Sequence, residues 1–429
     1  MIRILTYGEI DNAEIFNRGT AATDVSGTVA EIIARVRQNG DTALREYSEK
    51  FDRAKLQDLA VSEAEMQTAL GAVDPKFIEI LEKSAANIRA FHEKQKRTGF
   101  VINEDDGIVL GQKILPLQTV GLYVPGGTAS YPSSVLMNAI PAKIAGVGNL
   151  IMVTPPAPDG SIRPQILAAA HVAGVDRIYK VGGAQAIAAL AYGTESIPKA
   201  DKIVGPGNAF VAEAKKQVYG VCGIDMIAGP SEILILADGK TDPRYAAADL
   251  LSQAEHDRIA SAVLITDSMD FAKKTAEEVE KQLSVLPREE IARASIENNG
   301  KIIVTENMET AIEIANEIAP EHLEICTDAP FDLLNRIRNA GSVFLGRSCP
   351  EALGDYFAGP NHTLPTGGTA RFSSPLSVDD FIKKYSFTYY TADALNKAAD
   401  DIAHFAETEG LSAHARSVLV RKETGEVSQ

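Results

Sequence analysis

The chain has 429 residues, of which 45% are hydrophobic and 23% are charged, and its formal net charge is −16. This length predicts two or three domains. The net negative charge excludes binding to nucleic acid or anionic membranes through long-range electrostatic attraction. The three cysteines lack CxxC spacing, the N-terminus lacks a signal-peptide pattern, and no apolar run could span a bilayer, so we expect a cytoplasmic protein without disulfides.

The first quarter of the chain is predicted to be mostly helical. Residues 1–21 form a short segment without a strong pattern, and residues 23–96 carry the spacing of amphipathic helices. From residue 101 to residue 124, β-branched residues predict strands instead. The expected helix N-caps are Asp41, Ser62 and Asp74.

A repeated pattern begins near residue 123, in which a short apolar strand runs into a glycine turn and then into a helix. It occurs three times before residue 231, and a second run starts at ILILAD and continues to residue 376. Alternating strands and helices are typical of parallel βαβ units. The predicted fold class is therefore α/β, with two Rossmann-like αβα domains and parallel-rich sheets, a small N-terminal segment and a helical C-terminal tail.

The domain boundaries follow from these patterns. The N-terminal segment covers residues 1–21, a larger α/β domain combines residues 22–122 with 232–376, and residues 123–231 form an inserted α/β domain. The helical tail, residues 377–429, has too little apolar surface to fold alone. We therefore expect the tail to pack on its own chain or on a partner.

Three glycine turns, at Gly126–Gly127, Gly182–Gly183 and Gly205–Gly207, are candidates for a nucleotide site. Ligands of open parallel sheets bind at the carboxyl ends of the strands, and the helix N-termini that follow favour anionic groups. No full G-x-G-x-x-G is present, and each turn alone is better explained as an ordinary connection. Three such turns in one domain make a nucleotide pocket as good an explanation as three ordinary connections. The polar residues beside these turns are Tyr123, Gln185 and Asn208.

Gln253 and His256 are candidates for metal ligands. They stand three residues apart in a predicted helix, so both side chains lie on one face. A buried polar contact is the commoner explanation for such a pair, and glutamine is an uncommon zinc ligand. Asp355 and His414 would add a carboxylate and a second imidazole, and such a nitrogen and oxygen set suits Zn, Mn, Co or Fe.

Glu321 and His322 form an adjacent pair suited to proton abstraction and water activation. Pro320 predicts that the preceding helix stops at Ala319. In a regular strand the two side chains would point to opposite faces, so they share a site only in a turn or a first helical turn. The alternative is an acidic helix N-terminus without a catalytic role. Ser231 lacks the context of a nucleophile and is expected to cap a helix or contact substrate.

Eight blocks, spread over nearly the whole chain, together resemble the histidinol dehydrogenase family. The resemblance implies a zinc-dependent, NAD-linked oxidation of L-histidinol through L-histidinal to L-histidine, the last step of histidine biosynthesis. The blocks are LYVPGG, GGAQAIAALAYGT, GPGNAFVAEAK, DMIAGPSEILILAD, DLLSQAEHD, APEHLEI, GDYFAGPNHTLPTGG and EGLSAHARS.

The resemblance also implies a role for particular residues. One Zn²⁺ per subunit would lie in the larger domain and NAD in the inserted domain. The family is an intertwined homodimer, and its C-terminal tail completes the neighbouring subunit's site. The implied residues are Gln253, His256, Asp355 and His414 for zinc, Glu321 and His322 for acid–base catalysis, Tyr123, Gln185 and Asn208 for NAD, and Ser231, Gln253, His256, His322, Asp355, Glu409 and His414 for substrate.

Two rival functions use the same residues. A metal-dependent hydrolase would employ the metal cluster and the Glu–His pair while the glycine turns served only the fold, and it would turn over without nicotinamide. A metal-stabilised small-molecule binding protein would bind its ligand in a cleft without chemistry. Consumption of NAD distinguishes both from a dehydrogenase.

Overall fold

The computed structural model describes residues 1–18, 24–103, 107–126 and 131–426, with backbone only for residues 423–426. It divides into two compact units. The first unit comprises Met1–Gln95 and Leu117–Phe381, and the second comprises Lys96–Pro116 and Ile382–Gln429. Within the described ranges, no helix has both the length and the apolar character needed to cross a bilayer.

The strands of the described residues form three sheets. The first has the order β1-β11-β10-β9-β12-β13, the second β6-β5-β4-β7-β8 and the third β14-β3-β2. The strands are β1 (Arg3–Thr6), β2 (Phe100–Ile102), β3 (Ile108–Pro116), β4 (Thr119–Tyr123), β5 (Asn149–Thr154), β6 (Arg177–Lys180), β7 (Lys202–Val204), β8 (Gly223–Ile224), β9 (Glu232–Ala237), β10 (Ser261–Thr266), β11 (Lys301–Val304), β12 (His322–Cys326), β13 (Ser342–Leu345) and β14 (Ile382–Tyr390).

The helices fall mostly between these strands. They are α1 (Asn12–Phe16), α2 (Ser26–Tyr47), α3 (Glu63–Ala72), α4 (Pro75–His92), α5 (Pro132–Ala145), α6 (Pro164–Ala173), α7 (Gly183–Tyr192), α8 (Ala209–Val218), α9 (Pro243–Ala254), α10 (Met269–Leu283), α11 (Glu289–Asn298), α12 (Met308–Ile318), α13 (Pro330–Leu334), α14 (Glu351–Leu353), α15 (Ala392–Thr408) and α16 (Ser412–Glu426). A π-helical turn, Gly354–Ala358, directly follows α14.

The six-stranded sheet is parallel and buried on both faces. Helices α9, α10 and α11 cover one face, and α1, α12 and α13 cover the other. Strands covered on both sides are expected to be continuously apolar, as in the ILILA of β9. The N-terminal segment, in which no element was predicted, contributes β1 to the edge of this sheet, because β1 pairs in register with β11.

The five-stranded sheet is also parallel and covered on both faces. Helices α3, α4, α5 and α6 pack on one side, and α2, α7 and α8 pack on the other. The helices of residues 26–92 thus share their core with this sheet, although the sequence analysis groups them with residues 232–376. The proposed domain boundaries stay a prediction.

Both sheets are wound in the same way. In the five-stranded sheet, β4, β5 and β6 extend to one side, and β7 returns to the other side of β4. In the six-stranded sheet, β9, β10 and β11 extend to one side, and β12 returns beside β9. Each sheet therefore has a topological switch point, between β4 and β7 in one and between β9 and β12 in the other, where the chain connections on either side run in opposite directions. Open α/β sheets form a crevice at such a point, outside the carboxyl ends of the strands.

The second unit is antiparallel and carries an exposed apolar surface. Its central strand β3 pairs with β2 and, over nine residues, with β14. Helices α15 and α16 pack together through Ala403, Ala406 and Ala415. Tyr389 on β14 and Phe405 on α15 are more than half exposed. The predicted α/β class with a helical C-terminal region is confirmed, but the tail begins with a strand that the sequence analysis missed.

Two of the three expected N-caps are confirmed. The side chain of Ser62 accepts from the backbone N–H of Glu65, and Asp74 caps α4. Helix α2 is interrupted at Gly40 (φ 48°), so a helical run does resume at Asp41, but the Asp41 side chain does not cap it. Its carboxylate instead accepts hydrogen bonds from Thr194 and Ser196, which fastens α2 to the loop after α7.

Candidate functional site

The Glu–His pair lies where a helix gives way to a central strand of the six-stranded sheet. Helix α12 ends at Ile318, and Ala319 has a left-handed backbone (φ 49°), so the helix stops where Pro320 predicted. Glu321 precedes β12 in a bend, and His322 is the first residue of the strand. The two side chains were expected to share a site only if they did not both lie in a regular strand, and Glu321 indeed lies in a bend. The alternative, that the pair begins a helix, is wrong, because a strand follows.

The backbone of Glu232, the first residue of β9, holds both members of the pair. Its N–H donates to Glu321 Oε2 at 2.8 Å, and its carbonyl accepts from His322 Nδ1 at 3.0 Å. A carbonyl only accepts, so Nδ1 carries a proton, and in the neutral ring Nε2 presents its lone pair. The Glu232 side chain is itself buried and pairs with Arg18 at 2.8 Å, which ties the N-terminal segment to the amino end of β9.

His322 Nε2 points into a group of buried carboxylates. It has no hydrogen-bond partner within the described residues, and it lies 3.6 Å from Asp355 Oδ1 and 4.0 Å from Glu351 Oε1. Burial opposes a charge on the ring, but Glu321, Asp355 and Glu351 together raise the pKa of His322 to about 10. A cation among these carboxylates would withdraw their effect and lower the pKa of His322 again.

The carboxylates of the site differ in their protonation. Burial raises the pKa of Glu321 to about 8, although His322 at 3.7 Å and the Glu232 N–H offset part of this. Burial likewise raises the pKa of Glu351 to about 7. Burial would also raise the pKa of Asp355, but contacts with His322 and His362 hold it below its ordinary value. Asp355 is therefore the carboxylate best suited to stay charged near a ligand.

Gln253 and His256 come from the C-terminal end of α9, which lies beside this group because Ser252 Oγ donates to Glu351 Oε2 at 3.0 Å. Gln253 lies in the last turn of α9, and His256 follows in the turn after it. The Gln253 side chain is fully buried, yet neither its Oε1 nor its Nε2 has a partner among the described residues. Burial lowers the pKa of His256, whereas the negative charge of Asp355 raises it. Such an influence requires that the two side chains lie near each other.

Asp355 lies in the π-helical turn that is fastened to α4. Ser84 Oγ donates to the carbonyl of Tyr356 at 2.6 Å, and Asn87 Nδ2 donates to the carbonyl of Phe357 at 2.8 Å. His362 Nδ1 donates to the Asp355 carbonyl at 3.1 Å. The backbone that carries this carboxylate is therefore held from two directions.

The side chains present fit a metal ion. An amide buried without a hydrogen-bond partner costs about 1–3 kcal/mol, so the orphaned Gln253 amide indicates a missing ligand. His322, Glu351 and Asp355 bring ligand atoms within 4.8 Å of one another. Asp355 is also the carboxylate that acts on His256. A metal bound by His322 would occupy Nε2, the ring nitrogen that the bond from Nδ1 to the Glu232 carbonyl leaves free to accept a proton, which favours Gln253, His256 and Asp355 as the donor set.

The remaining expected substrate and metal residues divide between the two units. Ser231 is half-buried and directly precedes Glu232, so it lies at the amino end of β9, beside the amino end of β12 that carries the Glu–His pair. Glu409 and His414 belong to the second unit, where both are exposed. Glu409 follows the C-terminal end of α15, and His414 lies in the first turn of α16.

The expected cofactor residues surround the carboxyl end of β4. Tyr123 ends β4, is buried, and its hydroxyl accepts from the Gly183 N–H at 3.1 Å. Gln185 is buried in the first turn of α7, and Asn208 caps α8 through hydrogen bonds from two backbone N–H groups. Strands β4 and β7 form the point where the sheet reverses its winding, and ligands of open α/β sheets bind outside the carboxyl ends of the strands at such a point. Gly127 lies outside the described residues.

Sequence reasoning missed Glu232 and Glu351. Glu232 acts through its peptide group, which leaves no mark in the sequence. Glu351 stands four residues before Asp355, and that spacing on a helical segment was an available signal.

Comparisons with known proteins bear on the family of this chain. A family model described as histidinol dehydrogenase matches residues 17–422. A histidinol dehydrogenase of Clostridium acetobutylicum is 54% identical over 426 residues, covering 98% of this chain and 99% of the relative. One of Geobacillus kaustophilus is 58% identical over 398 residues, covering 93% and 94%. The crystal structure of histidinol dehydrogenase from Elizabethkingia anophelis is 39% identical, with a TM-score of 0.93 and 99% of each chain covered.

Proposed function

Because the chain belongs to the histidinol dehydrogenase family of oxidoreductases in histidine biosynthesis, we propose that it oxidises L-histidinol through L-histidinal to L-histidine with NAD and zinc. The observation that carries this proposal is the Glu232 backbone, which holds Glu321 and His322 side by side with Nε2 of His322 unpartnered and facing Asp355. Nothing in the described structure points to nucleic acid or a membrane as a partner.

The first oxidation removes two hydrogens from an alcohol, one as hydride and one as a proton. NAD, when bound, supplies the hydride acceptor for this step and again for the next. His322 takes the hydroxyl proton at Nε2, because its Nδ1 proton is committed to the Glu232 carbonyl. The positive charge that forms on the ring is stabilised by Glu321 at 3.7 Å and Asp355 at 3.6 Å. The product of this step is the aldehyde.

The second oxidation adds the oxygen of water to the aldehyde and again releases hydride. Glu321 removes a proton from this water, and its raised pKa of about 8 suits a base that works near neutrality. The complete reaction consumes two NAD and one water, and it releases two NADH and three protons with the carboxylate. A reactive aldehyde is retained better when both steps share one enclosed site.

Zinc, when bound, supplies a positive template for the imidazole and amine nitrogens of the substrate. We propose Gln253, His256 and Asp355 as its ligands in one subunit, with one ion per subunit. The unpartnered Gln253 amide and the charged state of Asp355 support this choice. Ser231, at the amino end of β9, is proposed to contact the substrate beside His322.

NAD is proposed to bind at the carboxyl end of the five-stranded sheet, beside Tyr123, Gln185 and Asn208. The N-terminus of α8 and the adjoining glycine turn favour an anionic group there. Asn208 is exposed beyond its capping bonds, whereas Gln185 and Tyr123 shape the wall of the crevice from buried positions.

We further propose a cytoplasmic, intertwined homodimer in which the second unit completes the neighbouring site. The partner subunit's Glu409 would contact the substrate, and the partner subunit's His414 would be the fourth zinc ligand. Two observations support this: both residues are exposed on the second unit, and its strands and helices expose large apolar side chains. Exposed apolar surface of this kind marks an interaction site.

The test is the stoichiometry of the reaction. Purified protein with zinc, L-histidinol and NAD is expected to form two NADH for each histidinol consumed, to lose this activity to a chelator and to regain it with zinc. Hydrolysis without NAD consumption would favour the rival hydrolase, and tight histidinol binding without NADH would favour a binding protein.

A further inference from the structure

A buried ion pair underlies the glycine turn that follows β7. Lys215, in the last turn of α8, and Asp225, just after β8, pair with side chains that are 2% and 1% exposed. Burying such a pair rarely stabilises a fold more than apolar side chains of the same volume would. The neighbours of Lys215 on α8 are apolar and buried, so a methionine would fill this position well. The pair therefore calls for an explanation other than packing.

The ion pair binds both backbone polar groups of one residue, Gly205. Asp225 Oδ2 accepts from the Gly205 N–H at 2.7 Å, and Lys215 Nζ donates to the Gly205 carbonyl at 3.1 Å. The second Asp225 oxygen accepts from the Met226 N–H at 2.6 Å. Each charged group is thus satisfied by the other and by backbone, and Gly205 is held on both sides.

Gly205 occupies a position that no other residue could fill. Its φ is 111°, in the region that favours glycine, and a Cβ there would meet the Tyr123 carbonyl oxygen at 2.1 Å. The turn therefore lies directly against the end of β4. A small displacement of Gly205 would move the N-terminus of α8 relative to Tyr123, and these two elements flank the crevice between β4 and β7.

We propose that Lys215 and Asp225 are positioning residues for the dinucleotide, which act through Gly205 by fixing the distance between the α8 N-terminus and the end of β4. This inference rests on the proposed function, because it assumes that NAD binds in this crevice. Both side chains are almost completely buried beneath the turn, so their loss is expected to weaken NAD binding and to leave the metal and histidinol unaffected.

The test compares Lys215→Met with Lys202→Met. Lys202 stands at the opposite end of β7 from Gly205, where its Nζ donates to Asp380 at 2.9 Å. The control therefore removes a lysine–aspartate pair at the far end of the strand that leads into the turn, and leaves the turn itself intact. We expect Lys215→Met to raise the NAD dissociation constant and the KM for NAD about tenfold, which is about 1.4 kcal/mol, while the KM for histidinol changes less than about twofold. Lys202→Met should leave both values unchanged.

Asp225→Asn provides a milder second variant in case Lys215→Met does not fold. Its amide oxygen can still accept from Gly205, so about a threefold loss of NAD affinity is expected. Calorimetric titration of NAD without histidinol, and the NAD-induced rise in melting temperature, measure binding independently of turnover. Variants that bind NAD as the wild type does, or that raise both KM values alike, would overturn the inference. A wild type that binds no NAD would overturn the proposed function as well.

Discussion

Replacing Glu321 by glutamine separates the two oxidations. The substitution keeps the shape of the side chain, and the amide oxygen can still accept from the Glu232 N–H now found 2.8 Å away. The charge and the basicity are lost, while the geometry is retained. Any loss of activity can therefore be assigned to chemistry.

The size of the effect follows from the neighbouring charges. In the first step the protonated His322 loses one carboxylate at 3.7 Å, and a charge pair at ~4 Å and an effective dielectric constant of ~20 is worth about 4 kcal/mol. Because the pKa of Glu321 is about 8, this carboxyl is mostly uncharged near neutral pH, and Asp355 at 3.6 Å and Glu351 at 4.0 Å remain beside the ring. Only part of the charge pair is therefore lost, and we expect about a tenfold loss in alcohol oxidation, which is about 1.4 kcal/mol. Aldehyde oxidation loses its general base outright, which costs about 10²- to 10⁴-fold.

The assay measures initial NADH formation at saturating NAD, once with L-histidinol and once with L-histidinal. Glu317→Gln, four residues earlier on the exposed side of α12, is the matched control and should leave both rates unchanged. Metal analysis of each variant excludes zinc loss as the cause. Equal losses with the two substrates would refute the assignment of Glu321 as the base for water.

The other predictions concern the base, the dimer and the stability of the N-terminal segment. His322→Ala should slow hydride transfer about 10²- to 10⁴-fold with zinc retained by metal analysis, and full activity would rule His322 out as the base. Mixed subunits carrying His322→Ala and His414→Ala should recover activity after exchange if each site uses two chains, and no recovery would count against a shared site. Lys301→Met should lower the free energy of unfolding by about 2 kcal/mol in a denaturant titration, because the buried ammonium donates to carbonyls at the end of α1, whereas Lys274→Met on the surface should have no effect.

Much of the architecture could be predicted because it depends on local patterns. Glycine turns between apolar strands and helices predicted the parallel sheets, and Pro320 predicted the end of α12. Among the described residues, three strands escaped prediction. Strand β14 carries the aromatic residues and threonine that strands favour, and this signal was overlooked. Strands β1 and β8 have only four and two residues, and they become strands only through pairing with β11 and β7. Pairing between distant segments leaves little trace in either one.

The site shows the same limit at the level of single residues. His256, Glu321 and His322 were predicted from short blocks, and the structure brings them near Asp355. Glu232 could not be found this way, because it acts through its peptide N–H and carbonyl, which every residue possesses. Its selection depends on β9 lying beside β12, which is a property of the topology.

The attachment of the Asp355 segment to α4 limits how this enzyme can be rebuilt. Helix α4 packs in the core of the five-stranded sheet, yet Ser84 and Asn87 hold the backbone beside a proposed metal ligand. The two sheets are consequently not interchangeable modules. A chimaera that exchanged the five-stranded sheet and its helices for those of a distant dehydrogenase would receive a cofactor crevice but lose the hydrogen bonds that hold Asp355 in place. Grafting a new cofactor specificity onto this scaffold therefore requires that Ser84 and Asn87 be carried along.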